Sequence, residues 1–296
     1  MKTQTVYSLV TASAFFWGTN FVLAGPVLVD LSPLWAAAVR FALGALLMLG
    51  FARWRGEDLA GPARSHAGVF LLLGAVGIGA FNLLFFSALQ HTSAVNAALI
   101  MATNPLLTTL LAAVMLGERA STRQLAGIPL ALVGVAVVVS GGDLHRLADM
   151  HDARGDLLML GANFAWAFYN VLSRRYLPSG SAIANTSLLM SAGAVLLLLV
   201  AISSGGLPHM PGLKASLALT MMVVGGTVLA YLFWNTGIAR LGAGHTALFL
   251  NLVPVFAMLV SIISGVLPTL PQLFGGVLVI SGISLSMLPK RRLAVS

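Results

Sequence analysis

The chain has 296 residues, 58% of them hydrophobic and only 8% charged, with a mean hydropathy of +0.96. No soluble domain of this length buries so much apolar surface, so the composition places the chain in a membrane. The formal net charge of +8 reads as a topology signal rather than a nucleic-acid footprint, because the basic residues lie between apolar stretches. Cysteine is absent, which excludes disulfides and thiol chemistry.

A spanning helix needs about 20 mostly apolar residues. On that measure ten spans are predicted, near 6–25, 34–53, 67–90, 94–116, 122–140, 155–174, 183–203, 214–237, 243–265 and 271–288. The first is too long for the apolar region of a cleavable signal peptide, and its counterpart lies mid-chain. It carries Trp17, Asn20 and Phe21 on one face, at i, i+3 and i+4. The second holds Arg40, about a turn and a half from its outer end, where a long cation is expected to snorkel to the interface. The third holds Asn82 and Phe86 after a run of glycines, Gly74, Gly77 and Gly79. The fourth starts near Asn96 and contains Pro105, which removes a helical hydrogen bond and predicts a kink. The loop Gly141–Gly155 is the most polar stretch. Its His and Asp residues match no metal-ligand spacing, so it reads as a solvated connection.

Beyond that loop the pattern returns. Trp166, Tyr169 and Asn170 repeat the face of the first span; Gly225, Gly226, Tyr231 and Asn235 occupy the eighth; His245 and Pro254 occupy the ninth. The correspondence is a repeat at a lag of 149: Trp17 with Trp166, Gly44 with Gly193, Gly77 with Gly226, and Pro105 with Pro254. At lag 148 it continues with Gln124 and Gln272, then Gly127 and Gly275. Residues 1–147 and 148–296 are therefore two five-helix repeats of one domain. An odd number of helices per repeat makes them inverted in the membrane. With the N-terminus in the cytoplasm, twelve of the 16 basic residues fall on that side and three outside, so both termini are expected to be cytoplasmic.

The residues AFFWGTNFV (Ala14–Val22), Arg40–Phe41, ALQHTSAVNAALI (Ala88–Ile100), Pro105 and LGE (Leu116–Glu118) carry a family resemblance. ANFAWAFYNVLSRR (Ala162–Arg175), YLFWNTGIARLGAGHTALFLNLVPV (Tyr231–Val255) and QLFGG (Gln272–Gly276) extend it through the second half. The chain resembles EamA-type members of the drug/metabolite transporter superfamily, and is most similar to amino-acid and aromatic-metabolite exporters of the YddG kind. It departs from the pattern at GVLPTL (Gly265–Leu270), where an acid is often found. The resemblance implies an all-α fold and export of amino acids or similar metabolites from the cytoplasm across the bacterial inner membrane, by alternating access.

The substrate-binding candidates are Trp17, Asn20, Asn82, Phe86, Asn96, Trp166, Tyr169, Asn170, Tyr231, Asn235 and His245, a neutral set of aromatic faces and amides. Pro105 and Pro254 are the hinge candidates. Interfacial aromatics and helix-bonding amides would use the same residue types, so the sequence leaves both roles open. The implied partners are a small solute and membrane lipid, with no nucleic acid, metal or cofactor; no pattern encodes the oligomeric state, and a monomer is compatible with the repeat. A membrane enzyme would need HExxH, GxSxG or paired intramembrane acids, and none is present. A phosphate-ester carrier would need buried cations; only Arg40 qualifies, and its position is wrong for that role. A channel or exchanger for other small solutes stays open. No carboxylate falls at mid-membrane, and His245 is the one near-neutral titrating group by the expected cavity. Movement of substrate down its own gradient, without obligatory proton coupling, is therefore expected.

Overall fold

The computed structural model describes residues 3–117, 122–143, 153–204, 208–241, 246 and 248–287, and all their regular elements are helical. α1 spans Thr3–Asp30 and α2 Pro33–Trp54. The Ser32 hydroxyl caps α2 by accepting the Trp35 backbone N–H at 3.4 Å, and Pro33 takes the first turn, where its missing N–H costs nothing. A short α3, Ala60–Ser65, precedes α4, which runs as Ala67–Gly74, a π-helical segment Ala75–Ala80, and Phe81–Leu89. α5 is Ala94–Met101 and α6 Asn104–Leu116, ended by Gly117 at a φ of 69°. α7 is Thr122–Ser140, α8 Arg154–Tyr176 and α9 Ala182–Ser203. α10 again has three parts, Leu213–Met221, a π-helical segment Met222–Leu229, and Ala230–Leu241. A 3₁₀ turn, Leu248–Asn251, leads into α11, Leu252–Ile263, and α12 is Leu270–Met287.

The described parts of the predicted spans are largely helical, and six helices of the described residues are long and apolar enough to cross a membrane. Their outward faces are aliphatic: Leu46, Val114, Leu199, Ile263 and Val277 are each more than half exposed. A bundle apolar inside and out is what a lipid solvent demands. Trp54 is 78% exposed, as expected of an interfacial ring.

The two sequence halves interlock rather than sit side by side. α1 packs on α10 and α11, whereas α8 packs on α4, α5 and α6. α2 lies along α9, and α7 along α12, where the backbones of Gly134 and Gly275 meet. Apolar side chains gain little from leaving lipid, so such contacts rest on close approach of small residues.

That approach recurs at the lag of 149. A Cβ on Gly44 would strike Thr227, and one on Gly193 would strike Ile78. A Cβ on Gly226 would overlap the Asn20 amide, and one on Gly77 the Tyr169 ring. Both of the last two glycines lie in the π-helical segments, which thus occur at matching places in α4 and α10. Gly79, by contrast, has no tight neighbour. The proline sites match as well. α5 stops at Met101 and α6 restarts at Asn104–Pro105; the 3₁₀ turn before α11 gives way to helix just ahead of Pro254. Gly77→Ala should overpack the α4–α8 contact and cost ~1–3 kcal/mol. Gly50→Ala, inside α2 with no neighbouring helix in reach of an added Cβ, should instead gain ~0.5–1 kcal/mol from helix propensity. Thermal midpoints of the detergent-solubilised proteins should move in these opposite directions.

Candidate substrate cavity

Where α1, α2, α4, α5, α8, α10 and α11 converge they leave a narrow, partly enclosed cavity. α1 supplies Trp17, Asn20 and Phe21, α4 supplies Phe81 and Phe85, and α8 supplies Trp166. Tyr231 of α10 and Arg40 of α2 complete the polar part, with Met101, Leu250 and Val253 closing it at the two helix breaks. The aromatic rings form a continuous cluster. Trp17 stands edge-on to Trp166 at 5.5 Å and to Tyr231 at 5.8 Å, and Trp166 meets Tyr231 at 5.6 Å. Edge-to-face packing at these separations aligns ring edges with π faces, so it holds the walls in place.

Four of the predicted residues, Trp17, Asn20, Trp166 and Tyr231, are brought together at this cavity. Others lie behind it. Tyr169 backs Trp166 at 4.9 Å and fills the space that Gly77 leaves. Asn82 is fully buried; its amide donates to the Ile78 carbonyl at 3.0 Å and its oxygen accepts from Arg40 at 3.4 Å. Phe86 lies under the Arg40 guanidinium at 5.9 Å. Asn170 donates to Asn104 at 3.3 Å and Asn235 to Thr186 at 2.7 Å, so both amides bond helix to helix. Asn96 is elsewhere. It accepts from Gln272 at 2.8 Å in a separate crevice beside Asp156 and Thr92. His245 lies outside the described residues, as does most of the Gly141–Gly155 loop. Pro105 and Pro254 sit in the first turns of α6 and α11, next to Met101 and Val253 in the cavity wall.

Arg40 does not snorkel. It is 3% exposed, held inside the bundle by three hydrogen bonds to neutral acceptors. Its Nε donates to the Thr227 hydroxyl at 2.7 Å, Nη1 to the Asn82 oxygen at 3.4 Å, and Nη2 to the Gly226 carbonyl at 3.2 Å. The Phe41 ring lies 5.3 Å from its Cζ, which adds a cation–π contact. Arg40 borders the buried face of α2: Ala36, Ala37 and Gly44 beside it are small and let α10 approach, while Leu43 and Leu47 flank it on the lipid side. Trp234 was also missed. It packs on Trp17 at 4.9 Å and is the repeat counterpart of Phe85, so the lag of 149 marks both.

The EamA-like transporter family matches residues 4–140 and 153–288, once per half. The chain belongs to that family. It is a multi-pass membrane transporter and not an enzyme. It is 36% identical to the Bacillus subtilis uncharacterized transporter YyaM over 96% of this chain and 93% of that one. It is 28% identical to a Salmonella typhimurium protein named a probable amino-acid metabolite efflux pump, over 92% and 91%. A Streptantibioticus cattleyicolor protein named a probable terminal-alkyne amino-acid exporter is 30% identical over 86% and 82%.

Within this EamA transporter the Thr227 hydroxyl both accepts from Arg40 and donates to the Met222 carbonyl at 3.1 Å, closing the π-helical turn. Thr227→Val keeps the shape but strands a buried guanidinium N–H, which should cost ~1–3 kcal/mol. The corresponding fall in thermal midpoint checks it; an unchanged midpoint would mean that Arg40 finds another acceptor.

Proposed function

We propose that this protein exports amino acids or similar small metabolites by alternating access through the central cavity. The observation that carries this reading is the composition of the cavity wall, drawn from both repeats: a cage of Trp17, Trp166 and Tyr231 with the Asn20 amide and one buried cation. Aromatic faces enclose an apolar side chain, while amide and guanidinium groups bond the polar end of an amino acid. The names of the two relatives described as an amino-acid metabolite efflux pump and an amino-acid exporter support the same substrate class.

In this reading ten helices cross the membrane as two inverted repeats with both termini cytoplasmic. The breaks at Pro105 and Pro254 are the hinges: at each a new helix starts beside the cavity, at related places in the two repeats. Rocking about them would expose the cavity to one side at a time.

The chain has no cysteine, so single cysteines report sidedness directly. Cysteines replacing Arg55 or Ser179 should react only with reagents reaching the cytoplasmic face, and those replacing Met210 or Leu267 only with external ones. External labelling at Ser179 would contradict the inverted topology. Counterflow in proteoliposomes with a panel of labelled amino acids tests the activity itself. Trp17→Ala, Trp166→Ala and Tyr231→Ala should each lower it ~10-fold, the equivalent of ~1.4 kcal/mol of lost ring contact. Protein level and monodispersity should stay near the parent's. Full transport by all three would place the binding site elsewhere.

A further inference from the structure

Arg40 carries a charge that its surroundings do not answer. Its three acceptors are a hydroxyl, an amide oxygen and a backbone carbonyl, and none of its partners among the described residues is a carboxylate. A guanidinium has five N–H donors and no acceptor. Three are committed, leaving one on each terminal nitrogen of a side chain that lines the cavity. The Trp166 indole N–H and the Tyr231 hydroxyl, on the same cavity, are buried without a hydrogen-bond partner among the described residues. All of these unused groups can donate, the hydroxyl being the one that can also accept, and they surround a positive charge in a place where an unpaired ion costs several kcal/mol.

A ligand group that only accepts hydrogen bonds and carries one negative charge meets all of these demands. We infer that the transported solute is a carboxylate, bound through its oxygens to Arg40, with its apolar portion among Trp17, Trp166 and Tyr231. A carboxylate matches the planar fork of arginine and neutralises the guanidinium itself. A phosphate ester, close to doubly charged, would leave excess negative charge against a single buried cation, so the carboxylate is favoured. The helix-bonding work of Arg40 agrees with this role: Thr227, Asn82 and Gly226 fix the guanidinium before the ligand arrives, which lowers the entropy lost on binding.

The inference rests on the transport reading for the choice of cavity, yet binding can be measured without transport. Thermal stabilisation of the purified full chain would be titrated with 3-phenylpropionate, indole-3-propionate and hexanoate, each beside its primary amide. Counterflow of labelled phenylalanine would be run in parallel, with the same compounds as competitors. At least one carboxylate is expected to act at least ten times more strongly than its amide in both assays. That preference should vanish in Arg40→Met and shrink about threefold in Arg40→Lys, which keeps the charge but not the fork. The inference is overturned if no carboxylate surpasses its amide in the unaltered protein. Persistence of the full preference in Arg40→Met or Arg40→Lys would overturn it too, and the Lys variant serves if the Met variant does not fold. A carboxylate preference without counterflow of any amino acid would leave Arg40 in its role and remove the amino-acid export reading instead.

Discussion

The centre of the molecule hangs on one backbone carbonyl. In lipid there is no water to satisfy a polar group, so each donor and acceptor must find its partner within the protein. The π-helical segment of α10 turns the Gly226 carbonyl outward, and it accepts both the Trp17 indole N–H at 3.0 Å and Arg40 Nη2 at 3.2 Å. Three helices, α1, α2 and α10, are joined at that atom. The neighbouring Thr227 hydroxyl takes Arg40 Nε, and Gly226 itself has no side chain to hold Asn20 away. π-helical turns loosen the regular i→i−4 ladder and are frequent at functional sites.

Packing is repeated between the halves, but chemistry is not. Gly44 against Thr227 mirrors Gly193 against Ile78, and Gly226 against Asn20 mirrors Gly77 against Tyr169. The same lag matches Arg40 with Leu189, Asn82 with Tyr231, and Asn104 with Val253. The helix breaks differ accordingly. Between α5 and α6, Asn163 of α8 donates to the Ile100 carbonyl at 2.9 Å and to Thr103 at 2.8 Å, while Asn104 donates back to it at 2.7 Å. At α11 the facing contact is apolar, with Gly18 of α1 close against Val253, Phe256 and Ala257. The unequal polar residues place one buried cation, Arg40, in a cavity whose aromatic rings come from both halves.

Much of this was readable from residue order alone. Apolar length and the lag of 149 located the helices, the proline breaks and the paired tryptophans, because membrane crossing and helical periodicity are local constraints. Which side of each helix meets which neighbour is not local. Asn82, Asn96, Asn170 and Asn235 are alike in sequence terms, each a polar residue in an apolar run. Asn82 steadies a buried cation, Asn96 joins two helix starts in a separate crevice, and Asn170 and Asn235 tie helices together. Arg40 shows the same limit most sharply. Its depth in the span admits a cation reaching for the interface or one held in the core, and the two differ by helix rotation alone. The fold class, the repeat and the aromatic character of the site belong to the sequence by itself. The burial of Arg40, and with it the charge of the cavity, was decided only when α2 set its small-residue face against α10 and brought the guanidinium to the Gly226 carbonyl.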